Sequence, residues 1–227
     1  MLEIKNLSFA FGKNKIFDDI NLNFEDNQIT GIVGKNGVGK TTLFRIMSGI
    51  YSSQSCHITL DGSRLKPSQI SFLPTEPYFY PYMKGGEYLE IVASSPEEWK
   101  QSKRYSRILD LPLYELVDNY STGMRKKLAF SALFSLNRPV VILDEPYNGV
   151  DLEGNEIIKH IIKTNNRTKT VILSSHILST ITEVCDSIYH MSESSQIQQY
   201  PKSDFQTLST VLELNMLNKL SELDEYS

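Results

Sequence analysis

A glycine-rich stretch near the start of the chain limits its possible folds more than any other feature. Residues 34–42 read GKNGVGKTT and match the pattern G-x-x-x-x-G-K-[ST] without a mismatch. The β-branched run Ile29–Val33 precedes this loop, and LFRIMSGI, with apolar residues at helical spacing, follows it. Such a loop between a strand and a helix turns backbone N–H groups toward phosphate oxygens, and the start of the helix adds its positive dipole end. The sequence therefore predicts a nucleotide phosphate site.

Nine residues of this loop are candidates for nucleotide contact. Lys40 would place a cation near the β- and γ-phosphates, and the Thr41 hydroxyl would be a ligand of Mg²⁺. A glycine-rich turn that binds nothing is the alternative, and the complete pattern favours phosphate binding. The loop alone does not identify the kind of nucleotide triphosphatase. The candidates are Gly34, Lys35, Asn36, Gly37, Val38, Gly39, Lys40, Thr41 and Thr42.

The bulk properties of the chain fit an ordinary globular protein. Its 227 residues suffice for one well-buried domain, with 40% hydrophobic and 22% charged residues. The formal net charge of −4 argues against broad nucleic-acid binding, since phosphate backbones favour a basic surface. No secretory signal and no run of about 18 apolar residues is visible, and two isolated cysteines fit a reducing compartment. We expect a cytoplasmic protein, with any membrane attachment made through a partner.

The hydrophobic pattern predicts an α/β fold. Leu2–Phe11 and Ile16–Phe24 alternate apolar and polar residues, which favours antiparallel strands around a turn. A terminal amphipathic helix is predicted from Phe205, Leu208, Leu212, Met216 and Leu220. The other predicted strands are His57–Leu60, Ile70–Leu73, Val140–Leu143, Thr170–Ser174, Ser187–Met191 and Gln196–Tyr200. The other predicted helices are Gly86–Val92, Pro96–Leu109, an amphipathic helix capped by Ser121, and Asp151–Thr164.

The composition shifts from strand-like to helix-like in the middle of the chain. We therefore predict a helical subdomain at 76–137, inserted into a nucleotide-binding core of residues 1–75 and 138–202, with a C-terminal helix and tail at 203–227. The proline-rich, aromatic stretch Pro74–Tyr82 should be an irregular surface loop. Its rings either contact a partner or cover the core beneath them. The basic run between Lys100 and Arg107 predicts a solvated helix face.

Polar residues follow two of the predicted buried strands. Asp144 and Glu145 come directly after Val140–Leu143, and His176 comes shortly after Thr170–Ser174. In an open parallel sheet the carboxyl ends of the strands form the edge where ligands bind. Adjacent carboxylates at such an edge are costly unless they pair with cations or take part in chemistry. For His176 the structural and the functional interpretations are equally supported at this point.

In their order along the chain, these motifs resemble the nucleotide-binding domain of ABC transporter ATPases. Residues 34–41 match the family's Walker A motif, and YSTGM at 120–124 matches part of its LSGGQ signature. VVILDE at 140–145 matches Walker B, NGVD at 148–151 lies where the family has its D-loop, and His176 lies at its switch-histidine position. The resemblance covers nearly the whole chain, and it implies a single domain over 1–227 with a P-loop NTPase core and a parallel sheet.

The resemblance implies a Mg²⁺-dependent ATPase with ATP as its nucleotide. Lys40, Glu145 and His176 would be catalytic, with Glu145 orienting or deprotonating the attacking water and His176 contacting the γ-phosphate. Thr41 and Asp144 would hold Mg²⁺. By itself Phe11 fits a core aromatic residue, whereas the resemblance places it against the adenine ring.

This sequence departs from the family pattern at two motifs. Thr75, in LPTEP, occupies the position of the family's Q-loop glutamine, and the resemblance leaves open whether Thr75 or Glu76 takes over its role toward Mg²⁺. In the signature, threonine and methionine replace the first glycine and the glutamine. Ser121 and Gly123 remain, and they are the residues implied to touch the γ-phosphate.

The resemblance also implies the partners. The signature of one subunit would close over the Walker A site of another, which predicts a homodimer around two ATP molecules. The chain would power a separate integral-membrane transporter subunit, similar to exporter systems, from the inner face of the cell membrane. A soluble ABC-type ATPase with an assembly role is the alternative. No nucleic-acid partner is expected.

Overall fold

A computed structural model describes residues 1–53, 55–165, 168–192 and 196–224, with side chains described as far as residue 214. In these ranges ten strands form two sheets. The strands are β1 (Leu2–Phe11), β2 (Asn14–Phe24), β3 (Ile29–Val33), β4 (His57–Leu60), β5 (Ser63–Arg64), β6 (Ile70–Leu73), β7 (Val140–Leu143), β8 (Thr170–Ser175), β9 (Ser187–Met191) and β10 (Ile197–Pro201). The predicted strands are confirmed within two residues, and the short β5 was not predicted.

Seven α-helices occur in the same ranges. They are α1 (Lys40–Met47), α2 (Gly85–Val92), α3 (Pro96–Ile108), α4 (Thr122–Ser135), α5 (Leu152–Asn165), α6 (Leu178–Thr182) and α7 (Phe205–Asp224). The sequence missed only α6. In α7, Phe205 and Leu208 are buried as predicted, whereas the side chains of Met216 and Leu220 lie outside the described part. Within the described ranges, no helix has both the length and the apolar character that crossing a membrane requires.

The larger sheet fixes the geometry of the molecule. Its strand order is β10-β9-β3-β8-β7-β6, and only the pairing of β10 with β9 is antiparallel. In register, Val33 pairs with Ser175, and Leu143 pairs with both Leu173 and Leu73. The carboxyl ends of β3, β8, β7 and β6 therefore lie side by side. The smaller sheet, in the order β2-β1-β4-β5, is antiparallel throughout, and the N-terminal alternation predicted its β1–β2 pair.

The core lies on both faces of the larger sheet. Along β7, Val141 and Leu143 pack into a cluster with the helices of the 76–137 segment. Val140 and Ile142 face a second cluster, which also contains residues of α1 and of β1 and β2. A strand buried on both faces needs apolar residues at every position. This explains the uninterrupted VVIL run, and the parallel sheet with helices packed against it confirms the predicted α/β P-loop NTPase fold.

Helix α4 differs from the predicted amphipathic helix. The hydroxyl of Ser121 accepts a hydrogen bond from the N–H of Met124, so the predicted cap is confirmed. Beyond the cap, the helix is buried on most sides, including the side chains of Lys126, Phe130 and Ser131. A helix packed against α2, α3 and β6 has little free surface, which is why a single apolar stripe does not describe it.

The aromatic rings of the loop Pro74–Tyr82 are divided between the core and the surface. Phe79 points inward and packs against Tyr88 of α2, with ring centroids 4.6 Å apart. Tyr78, Tyr80 and Tyr82 are 72%, 62% and 82% exposed. One ring therefore anchors the loop to the core, while three are presented to solvent.

A buried carboxylate ties the start of α3 to the end of α4. Glu98 accepts hydrogen bonds from the backbone N–H groups of Ser94 and Asn137, each at 2.7 Å. Burial raises the pKa of Glu98, but these two hydrogen bonds and the charges of Arg138 and Lys169 outweigh it, so the pKa is lowered in the fold. The carboxylate therefore contributes stability at neutral pH that is lost as the pH falls through its folded-state pKa.

We expect Glu98→Ala to lower the free energy of unfolding by about 1–3 kcal/mol, because two backbone N–H groups lose a charged acceptor. Urea unfolding at neutral pH measures this loss, and Glu97→Ala, at the exposed neighbouring position, is the matched control. The difference between wild type and Glu98→Ala should shrink as the pH falls. An equal loss in both variants, or a loss independent of pH, would contradict this role.

Candidate nucleotide-binding site

A cavity of about 340 Å³ opens at the carboxyl edge of the larger sheet. Four adjacent strands bring their ends to it: β3 leads into the glycine-rich loop, β6 into Thr75, β7 into Asp144 and Glu145, and β8 into His176. The parallel register thus brings together residues that are up to 140 positions apart, from Asn36 to His176. The lining residues are Asn36, Gly37, Gly39, Lys40, Thr41, Thr42, Thr75, Asp144, Glu145, Asn148 and His176.

The backbone of the glycine-rich loop allows no side chain at two of its glycines. A Cβ atom on Gly34 would lie 2.5 Å from the carbonyl oxygen of Met191. Gly39, just before α1, has a left-handed backbone with φ of 114°, and a Cβ atom there would lie 2.8 Å from Ile16. These glycines therefore let the loop backbone pack directly against Met191 and Ile16, with the N-terminus of α1 at the cavity.

Lys40 is buried beside this loop. Its Nζ donates hydrogen bonds to the carbonyl oxygens of Gly34 at 2.6 Å and Lys35 at 3.1 Å. Burial lowers the pKa of Lys40, while the nearby carboxylates of Glu145 and Asp144 act in the opposite direction. The ammonium group is thus held at the loop by backbone contacts and faces the two carboxylates.

Asp144 is the most highly connected side chain of the site. It is fully buried, and its Oδ2 accepts hydrogen bonds from the hydroxyls of Thr41 and Thr75, both at 2.7 Å. Its Oδ1 accepts a hydrogen bond from the Ser174 hydroxyl at 2.6 Å. Thr75, at the position of the expected glutamine, therefore belongs to the site, whereas Glu76 is exposed and does not line the cavity.

Glu145 and His176 form a pair at the mouth of the cavity. Nδ1 of His176 lies 3.0 Å from Oε2 of Glu145. The Glu145 backbone has a positive φ of 49°, an uncommon conformation for this residue type, and its N–H donates to the Ser174 hydroxyl at 2.9 Å. One serine therefore contacts both acidic residues, Asp144 through its carboxylate and Glu145 through its backbone N–H.

The side chains around Asp144 fit a Mg²⁺ ion. Mg²⁺ prefers hard oxygen ligands, and in phosphate sites it is bound through one or two protein groups together with water and phosphate oxygens. Thr41 and Asp144 offer a hydroxyl and a carboxylate that already touch, and Thr75 offers a second hydroxyl. Across the described residues, no group of three His, Cys, Asp or Glu side chains is placed to hold a metal ion.

Two residues of the site were missed from the sequence. Ser174 lies in the strand TVILSS, where nothing distinguishes a site residue from a core serine except its position just before a candidate histidine. Lys126, in the basic run RKK, is buried in α4, and its Nζ donates to the carbonyl oxygen of Thr75. Burial lowers the pKa of Lys126, against the opposing charges of Asp144, Glu145 and Glu76. Lys126 therefore links the helical segment to the site.

Several predicted site residues lie outside the cavity lining, namely Phe11, Gly34, Lys35, Val38, Ser121 and Gly123. Phe11 is not a core residue, because its ring is 49% exposed and meets Phe9 and Tyr51 edge-on. Gly123 lies so close to the carbonyl oxygen of Gly149 that a Cβ atom would come within 2.5 Å of it. The signature and the D-loop segment are thus in direct backbone contact.

The fold and the site together define a P-loop nucleotide-binding protein. The sequence profile described as ABC transporter matches residues 17–148, more than half of the chain. The chain therefore belongs to the ABC transporter family of ATP-binding proteins, as its motif order predicted.

Individual relatives agree with this assignment. An uncharacterized ABC transporter ATP-binding protein of Methanocaldococcus jannaschii, MJ1023, is 30% identical over 82% of this chain and 72% of its own. The lantibiotic transport ATP-binding protein SrtF of Streptococcus pyogenes is 30% identical over 83% and 85%. The bacitracin transport ATP-binding protein BcrA of Enterococcus faecalis is 29% identical over 88% and 68%.

Two solved structures show the same fold. The ATP-binding subunit of an ABC transporter superposes with a TM-score of 0.83 at 24% identity, over 90% of this chain and 91% of that chain. The ATP-binding cassette MJ0796, in a dimeric post-hydrolysis state bound to ADP and Pi, gives a TM-score of 0.78 at 19% identity, over 89% and 99%.

The contacts of Ser174 predict a measurable cost for its removal. In Ser174→Ala, the Glu145 N–H and one Asp144 oxygen lose their partner in a buried setting, so the free energy of unfolding should fall by about 1–3 kcal/mol. Ser71→Ala is the matched control, because the Ser71 hydroxyl is buried without a hydrogen-bond partner in the described part. Chemical denaturation of both variants checks this. An equal loss in the two would mean that the hydroxyl bridge has no energetic role.

Proposed function

We propose that this protein binds and hydrolyses MgATP and thereby powers a separate membrane-spanning transporter subunit. One observation carries the proposal: the glycine-rich loop, the buried Asp144 with its three hydroxyl partners, and the Glu145–His176 pair line a single cavity. Phosphoryl transfer depends mainly on positioning and charge stabilisation, and these groups supply both.

Each lining group has a distinct proposed role. Lys40 and the loop N–H groups neutralise the phosphates, since the ammonium is already held against the loop. Glu145 orients or deprotonates the attacking water, and His176, held 3.0 Å from Glu145, contacts the γ-phosphate. Phe11 stacks against adenine, which its half-exposed ring permits.

Thr41 and Asp144 are the proposed holders of Mg²⁺, with Thr75 in place of a Q-loop glutamine. When bound, Mg²⁺ neutralises charge on the transferred phosphoryl group. The Thr75 hydroxyl shares the same Asp144 oxygen as Thr41, which supports a direct role at the metal. In this arrangement Thr75, and not Glu76, takes the place of the glutamine.

We propose that the working unit is a homodimer around two ATP molecules. Ser121 and Gly123 lie outside the cavity of their own chain, so a role at the γ-phosphate requires the cavity of a second copy. The dimeric MJ0796 cassette, which shares the fold, supports this arrangement.

The exposed tyrosines of the Pro74–Tyr82 loop are the proposed contact for the membrane subunit. Tyr78 and Tyr80 pack edge-on with ring centroids 5.4 Å apart, and both are mostly exposed. Exposed aromatic clusters favour protein contact. They lie within five residues of Thr75, so a partner bound there would be adjacent to the nucleotide site. The names of SrtF and BcrA, a lantibiotic and a bacitracin transport ATP-binding protein, support transport of a peptide antibiotic, for which we propose the export direction.

Glu145→Gln should retain ATP binding and lose turnover by at least about a hundredfold, because the attacking water loses its base while the phosphate loop is intact. Phosphate release measures turnover, a fluorescent ATP analogue measures affinity, and light scattering should detect an ATP-stabilised dimer. Glu76→Gln is the matched control with normal turnover. Undiminished hydrolysis by Glu145→Gln would refute the role assigned to this carboxylate.

Replacing Tyr78 and Tyr80 by serine should abolish co-purification of a membrane subunit from detergent extracts while leaving hydrolysis by the isolated chain unchanged. Ile50→Ser, which changes an exposed apolar residue elsewhere, is the control. If wild type itself purifies from membranes without a stoichiometric integral-membrane protein, the soluble assembly ATPase is the better description.

A further inference from the structure

Helix α3 carries a basic stripe that the nucleotide site does not use. Lys100, Lys103, Arg104 and Arg107 follow one another at steps of three, one and three residues and are all exposed, so they form one stripe along about 10 Å of helix. The opposite face, which includes Glu98, Ser102 and Tyr105, is buried. We define the basic stripe as these four cations together with Trp99.

Among the described residues, no ion pair neutralises the charge of the basic stripe. Every ion pair recorded among the described residues involves other groups, so none of the four cations has a carboxylate within 4.0 Å there. Glu97 is the one acidic residue lining the groove of about 940 Å³ along this face. The whole chain carries a formal charge of −4, so the stripe is a local basic region on a protein with a negative net charge.

Trp99 gives the basic stripe an aromatic component. The Lys103 Nζ lies 4.3 Å from the centroid of the Trp99 ring, which is 38% exposed. The cation thus holds the indole at the surface beside the stripe. Near the other end of the helix, Ile108 is 47% exposed. Basic residues flanked by exposed indole and aliphatic side chains are typical of a helix that lies on a membrane surface.

The basic stripe is remote from the nucleotide cavity in the fold. The start of α3 is bound through Glu98 to Asn137, and Arg138 donates to the Ser94 hydroxyl at 3.5 Å. Residues 137–138 precede the amino end of β7, whereas the cavity lies at the carboxyl end of the same strand. No residue lines both the groove and the cavity.

We propose that the basic stripe binds the anionic phospholipid surface of a membrane. Lipid phosphates complement the four cations, and the exposed indole suits the interface between headgroups and acyl chains. A planar bilayer meets only this face, whereas a long nucleic acid would also meet the acidic remainder of the protein. The proposal goes beyond ATP hydrolysis and does not depend on it.

Sedimentation with vesicles tests this proposal on the full chain. Vesicles of phosphatidylcholine alone are compared with vesicles that contain about one third phosphatidylglycerol, at low and at several-fold higher salt. Each cation near an anionic surface strengthens binding about fivefold. Wild type should therefore prefer the anionic vesicles at least tenfold, and higher salt should remove the preference.

The Lys100→Glu/Arg104→Glu variant should lose this preference at least about tenfold. The control, Arg64→Glu/Lys163→Glu, makes the same charge change at exposed positions elsewhere and should bind like wild type. Circular dichroism verifies folding.

Equal binding of wild type to both vesicle types, or unchanged binding of the stripe variant, would overturn the proposal. Tighter binding to an oligonucleotide at equal phosphate concentration would also overturn it, in favour of nucleic acid. None of these outcomes bears on the ATPase assignment, because neither ATP turnover nor a membrane subunit is measured.

Discussion

The site depends on one buried carboxylate. Asp144 has no contact with water, yet three hydroxyls from three different parts of the chain donate to it, from Thr41, Thr75 and Ser174. A buried charge is tolerable only where hydrogen bonds replace its hydration. Thr41 follows β3, Thr75 follows β6 and Ser174 lies in β8. The three hydrogen bonds to Asp144 can therefore form only when the ends of these strands are aligned. The same interaction stabilises the fold at this edge and assembles the proposed catalytic site.

The parallel register makes this arrangement possible. Pairing of Leu143 with Leu173 brings Ser174 level with Asp144, so that one hydroxyl reaches both the carboxylate and the Glu145 N–H. A slip of one residue would direct Ser174 to the other face of the sheet. The apolar layers on both sides of β7 oppose such a slip, since it would exchange Val141 and Leu143 with Val140 and Ile142 between two differently shaped clusters. Core packing therefore fixes the positions of the polar site residues.

Local patterns in the sequence predicted the elements of the site but not all of its contacts. Sequence motifs and hydrophobic periodicity depend only on residues that are close in the chain. They therefore predicted the glycine-rich loop, the VVIL strand and the two carboxylates that follow it. The role of Ser174 could not be predicted, because its hydrogen-bond partners depend on the register between strands. Lys126 could not, because a lysine in the run RKK normally faces solvent, and only the central packing of α4 buries it. Phe11 reads as a core residue by composition, but it lies at the exposed end of β1. The sequence thus predicts the architecture, whereas the environments of Ser174, Lys126 and Phe11 depend on residues that are distant in the chain.

The contact between Lys126 and Thr75 joins the helical segment to the core through a main-chain atom. The lysine binds the carbonyl oxygen of Thr75, while the Thr75 hydroxyl binds Asp144, so two independent bonds meet at one residue. A different side chain at position 75 would therefore change the link to Asp144 and leave the link to α4 in place. Residue 75 thus connects the helical segment to the proposed metal site, through its carbonyl oxygen to Lys126 and through its hydroxyl to Asp144.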